Sequence, residues 1–179
     1  MADNPIAITQ SLSELFSDAI GGCRVILFSA PAGCGKTSSA VELLRRGGIE
    51  YKSLDAGAPD FARRLADSLP DERSAPIPPG TASPVVSGGK TVSSPGGGVL
   101  LVDNLQSIDK AGEDALSEQI RTHPLSRFIL CGRCPLPGWL VQYEAERTEL
   151  TIEPEDLMLD SMALEEVSRG RGQIGRAHV

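Results

Sequence analysis

At 179 residues, the chain has the length of one α/β domain or of the first piece of something larger. A hydrophobic share of 40% can fill a single core, and with only 4% aromatic residues that core must be built mostly from Val, Leu, Ile and Ala. A formal net charge of −7 argues against a polyanion as the principal partner of this part of the chain.

Leu12, Leu15, Phe16 and Ala19 recur at helical spacing behind Ser11, a possible N-cap, and predict a first helix that Gly21-Gly22 ends. Arg24 to Ser29 reads as a strand buried on both faces. After a glycine-containing loop, a helix is expected from about Lys36 to Arg46, stopped by Gly47-Gly48. A second strand is placed at Glu50 to Leu54 and a helix at Phe61 to Leu69, with Phe61, Leu65 and Leu69 on one face. From Ser74 to Gly98 the composition turns to Pro, Gly, Ser, Thr and Ala, which reads as a flexible surface loop. Val99 to Asp103 is a third strand, Glu113 to Ile120 a helix, Arg127 to Cys131 a fourth strand and Glu149 to Ile152 a fifth; Ser161 would cap a last helix through Val167. Strands alternating with helices predict an α/β P-loop NTPase fold, a parallel sheet with helices on both faces. The domain is expected over residues 1–153, followed by the start of a helical region at 154–172.

The chemistry is carried by Ala30, Pro31, Ala32, Gly33, Cys34, Gly35, Lys36 and Thr37, followed by Ser38: the pattern G-x-x-x-x-G-K-[ST] with alanine in the first glycine's place. Glycines at 33 and 35 let backbone N–H groups turn inward as an anion-binding nest, and the helix that opens at Lys36 adds its positive dipole end. Lys36 would reach the β- and γ-phosphates of ATP, and the Thr37 hydroxyl would ligate Mg2+. Asp103, the charged end of an apolar strand, is expected beside that metal as a Walker B aspartate; an ordinary strand-ending Asp is the alternative. Asn104 follows it where many P-loop ATPases carry an acid. An amide can orient water but cannot accept its proton, so slow hydrolysis is expected. Arg133, past the fourth strand, either meets the γ-phosphate or pairs with a nearby glutamate.

Cys131 and Cys134 form a C-x-x-C without a second pair at zinc spacing, so no metal or redox role is assigned to them. Met1-Ala2-Asp3-Asn4 shows no basic region leading into an apolar run, and no stretch approaches the roughly 18 apolar residues of a membrane helix. A cytoplasmic chain with reduced cysteines and no membrane partner is expected.

Together these residues resemble the ATPase domain of the STAND class, the signal-transduction ATPases with numerous domains, in its LuxR/MalT-type transcriptional regulators. The resemblance runs from about Leu12 to Val167: the phosphate loop, Tyr51 to Asp55 with Phe61 after it, Leu100 to Asn104, Gly132-Arg133 with Pro135 to Pro137, and Glu149 to Leu157. The family usually has an aromatic where Cys34 stands and a second aspartate where Asn104 stands. The resemblance implies a switch in which ATP favours a self-associated activator and ADP favours rest. It also implies that DNA is met only through a carboxyl-terminal part that this chain lacks. Ile174 to Val179 is what one frame of a widely used sequencing adapter encodes before a stop codon. Residues 173–179 are therefore read as a non-native tail on an amino-terminal fragment, against the alternative of a native Gly/Arg tail. Two other functions compete: a small-molecule kinase or phosphotransferase, disfavoured because residues 74–98 hold no arginine for a lid, and an ATP-binding module without turnover.

Overall fold

Val25–Ser29 forms strand β1, every residue of it buried, as an unbroken apolar run requires. Its period of two sends Val25 and Leu27 into one core and Ile26 and Phe28 into another. The second core is closed by helices α1 (Gln10–Gly22) and α2 (Lys36–Arg46), through Leu12, Phe16, Leu43 and Leu44. The first is closed by α3 (Phe61–Ala66) and α4 (Lys110–Thr122), through Phe61, Leu65, Leu116 and Ile120. Each fully buried side chain such as Leu27 or Phe28 stabilises the fold by about 1.5–3 kcal/mol relative to exposure. The computed structural model describes residues 8–69, 97–133, 138–140 and 149–157.

The remaining strands are β2 (Lys52–Asp55), β3 (Val99–Asp103), β4 (Arg127–Gly132) and β5 (Glu149–Ile152). All pairings are parallel and the order is β2-β3-β4-β1-β5. The carboxyl ends of β1, β3 and β4 therefore share one edge. The chain leaves β1 for β2 over one face and returns through β3 and β4 by way of helices on the other. The wiring thus reverses between β1 and β4, where open α/β sheets bind ligands.

Several boundaries differ from the sequence reading. Helix α1 starts earlier than Ser11 suggests, because Thr9 is its N-cap: Leu12 N–H donates to Thr9 Oγ1 at 3.1 Å. Strand β2 is shifted to end on Asp55, since its parallel register runs from Lys52 opposite Leu100 to Asp55 opposite Asp103. Helix α3 stops at Ala66, although Leu69 still packs on the core. Helix α4 gains a turn at its start because Asp109 Oδ1 accepts from Gly112 N–H at 2.7 Å. Of the expected loop 74–98, the described end is Gly97-Gly98. Gly97 lies against the Leu125 and Ser126 backbone, and Arg127 N–H donates to Gly98 O at 2.9 Å. The rest of that loop, the helix from Ser161 and the tail 173–179 lie outside the described residues. No helix among the described residues is long and apolar enough to cross a membrane.

Candidate functional site

The phosphate-loop sequence leaves β1 at Ala30, which is buried and whose N–H donates to Gly132 O on β4 at 3.4 Å. The backbone then turns through Gly33 at φ +84° and Gly35 at φ +76°. An added Cβ would meet nothing within 4 Å at Gly33 and only ordinary contact at Gly35. Conformation, rather than crowding, calls for glycine here: a side chain in this left-handed region costs about 1–2 kcal/mol. Gly35 is the N-cap of α2, with no side chain over the first amides, and no acidic residue occupies the first turn. The opening N–H groups of a helix have no intrahelical acceptor, so α2 presents them with its positive dipole end.

These elements enclose a cleft of about 200 Å3 lined by Ala32, Gly33, Gly35, Lys36, Thr37 and Ser38 on one side and Asp103, Asn104, Gln106 and Arg133 on the other. Pro31 and Cys34 are exposed and, like Ala30, do not line it. Lys36 Nζ donates to Pro31 O at 2.8 Å, spanning the loop from its helical end to its start. Thr37 Oγ1 donates to Asp103 Oδ1 at 2.8 Å, joining α2 to the end of β3 across 66 residues of sequence. Arg133, exposed, follows β4 at the same edge.

Thr37 and Asp103 present a hydroxyl and a carboxylate side by side. Hard oxygen donors in this number suit Mg2+, which takes one or two protein ligands and keeps water or phosphate oxygens for the rest. When bound there, the ion would neutralise phosphate charge, with Thr37 and Asp103 holding it.

Asn104 sits in the left-handed region at φ 56°, and its Nδ2 donates to Asp55 Oδ1 at 3.2 Å. Two residues of this neighbourhood, Gln106 and Asp55, were not assigned to it from the sequence. Gln106 lines the cleft and donates from Nε2 to Asn104 Oδ1 at 3.3 Å. Asp55 ends β2 opposite Asp103, one residue past the strand expected from the sequence, and its motif assigned it no role in the site. Cys131 lies buried beneath the cleft. Burial pushes its thiol from 9.0 up to about 12 and the Asp103 charge adds to this, opposed by the Thr37 hydroxyl and the Lys36 charge. A thiol so placed stays protonated and is a packing group. Cys134 lies outside the described residues.

A parallel five-stranded sheet in this order, helices on both faces and a left-handed glycine loop between β1 and α2 define the α/β fold of P-loop NTPases. Among solved structures the chain is similar to Thermotoga maritima RuvB, a Holliday junction branch migration motor. The TM-score is 0.54 at 17% identity, over 93% of this chain and 51% of that one. An arginine-to-alanine variant of the same protein gives a TM-score of 0.55 at 17% identity, over 94% of this chain and 52% of that one. The chain spans about half the length of these proteins, and at this identity the likeness is one of fold. No protein-family model and no curated protein sequence matches it.

Proposed function

We propose that the chain is an ATP-binding regulatory switch domain with slow ATPase activity, part of a transcriptional regulator of the STAND LuxR/MalT type. The observation that carries nucleotide binding is the 2.8 Å contact between Thr37 and Asp103 beside a nest of left-handed glycines. It supports the reading because it joins, from distant sequence, the two residues that would hold a metal beside phosphate. Lys36 and the amides from Gly33 to Ser38 would grip the phosphates, Thr37 and Asp103 would hold Mg2+, and Arg133 would meet the outermost phosphate. Slow turnover follows from Asn104: it occupies the position beside Asp103 with an amide whose two ends are already engaged by Asp55 and Gln106. That same observation favours a second reading, an ATP-holding module without turnover. Self-association, and DNA contact through a further part of the protein, follow from the family resemblance. The test is calorimetric titration with ATP and ADP in Mg2+, together with phosphate release. Tight binding with turnover far below one per second fits the switch, and binding with no release at all fits the module. Absence of nucleotide binding by the folded chain defeats both.

A further inference from the structure

Gln106 shares the cleft wall with Asp103 and Arg133, and its position is set twice. Its neighbour Leu105 is fully buried against Gly132 of β4, where an added Cβ would lie 3.2 Å from Leu105 Cβ. A larger residue at 132 would push the 3-10 turn Leu105–Ser107 away from the sheet edge. The side chain is held separately, by a run of hydrogen bonds with a definite polarity. Asp55 Oδ1 accepts from Gly57 N–H at 2.9 Å and from Asn104 Nδ2 at 3.2 Å. A carboxylate only accepts, so it fixes which end of the Asn104 amide faces it. Asn104 Oδ1 is thereby turned to Gln106 Nε2 at 3.3 Å. The Asn104 backbone is tied as well: its N–H donates to Asp103 Oδ1 and its carbonyl accepts from Ser107 N–H, both at 2.8 Å. Gln106 Nε2 carries two protons. One goes to Asn104, and the second is a donor at the cleft wall, the polarity that a phosphate oxygen requires.

We infer that Gln106 donates to the terminal phosphate of a bound nucleoside triphosphate and so distinguishes tri- from diphosphate, with Asn104 and Asp55 as positioning residues that orient its amide. This rests on the nucleotide-binding reading above. The nest lies on the α2 side of the cleft, so the β3–β4 wall faces the outer end of the phosphate chain, where Lys36 also reaches. A diphosphate ends one group sooner.

Dissociation constants for ADP and for a non-hydrolysable ATP analogue, measured by calorimetry on the wild-type chain and on Gln106→Ala and Asn104→Gly, test it. Gln106→Ala should weaken the triphosphate by roughly 10- to 150-fold, the worth of one hydrogen bond to a charged acceptor, and leave ADP unchanged. Asn104→Gly keeps the left-handed backbone without strain and should move the ratio in the same direction. In the nucleotide-free chain, Asn104→Gly and Asp55→Ala should each shift the Gln106 side-chain amide signals in NMR and leave those of Gln119 in place. Equal losses for both nucleotides, no loss at all, or unmoved Gln106 signals would overturn the inference while nucleotide binding stands. A folded wild-type chain that binds neither nucleotide removes the reading beneath it, and the inference with it.

Discussion

Helices α1 and α4 begin under a side chain, whereas α2 begins bare. Thr9 and Asp109 accept from the first amides of α1 and α4 at 3.1 and 2.7 Å. At α2 the same position is Gly35, and no acid lies in the first turn. A good cap is worth about 1 kcal/mol, and α2 forgoes it. The difference teaches that a helix start can serve either the fold or a ligand. Amides already satisfied by a carboxylate or hydroxyl cannot also hold a phosphate. The left-handed glycines add about 1–2 kcal/mol of strain wherever a side chain is introduced, so the loop has been kept open at the expense of substitutability.

The comparison is broken most severely by filling the bare start. Ser38→Asp places a carboxylate in the first turn of α2, where it should stabilise the helix by about 0.3–1 kcal/mol and repel the ligand's phosphates. Thermal unfolding should shift upward by a few degrees while ATP binding disappears, two effects of opposite sign from one substitution. Lys36→Ala removes the cation and should weaken ATP by at least about 100-fold, two charge-assisted hydrogen bonds being worth roughly 3–6 kcal/mol. It should leave the melting temperature near wild type. A Lys36→Ala protein that is folded and binds ATP as before would remove Lys36 from the site. The converse test is Asp109→Ala, which strips the cap from α4. A loss of about 0.5–2 kcal/mol in denaturant unfolding, with unchanged ATP affinity, is expected. Lost affinity there would mean that the two kinds of helix start are not independent.

The loop was legible in sequence because its requirements are local. Glycines at 33 and 35, a lysine and a threonine must follow one another between a strand and a helix, so a short window contains them all. Asp103 was legible as the one charge ending an apolar strand. The order of the strands was not, since parallel neighbours such as β1 and β4 are set by packing between segments about a hundred residues apart. The roles of Asp55 and Gln106 were hidden for the same reason. Asp55 reaches Asn104 only through the register that sets it opposite Asp103, and Gln106 sits at the cleft only because Leu105 packs on Gly132. Thr9 and Ser11 illustrate a smaller limit. Both are hydroxyl residues ahead of the same apolar stripe, and periodicity alone does not say which one lies outside the first turn. At Gly97 the loop-like composition concealed a close fit against the Leu125 backbone that a side chain would spoil.

The smallest expected effect concerns the other end of α2. Glu42, buried, accepts from Arg45 Nη2 at 2.7 Å and from Arg46 Nε at 2.8 Å, so the last turn of the helix is closed where its first is open. The Arg45 hydrogen bond, chief among these effects, brings the Glu42 carboxyl from 4.5 down to about 2, with burial opposing and Arg46 assisting. Because the folded value lies below the unfolded one, the stabilisation is fully present above about pH 4.5 and is lost as the pH falls through 2. Glu42→Gln should therefore lower the melting temperature at pH 7. The gap to wild type should close progressively between pH 4.5 and 2, the interval between the two values. Both arginine side chains remain well exposed, at 66% and 41%, so solvent screens the pairs and the effect should fall below that of Asp109→Ala and shrink further in high salt. ATP affinity at pH 7 should not change, since Glu42 stands well inside the helix and the amides proposed to hold phosphate are at its start. A melting gap that is the same at every pH would show that Glu42 acts through packing rather than charge. The closed end of α2 would then be held by shape, and only its open end by electrostatics.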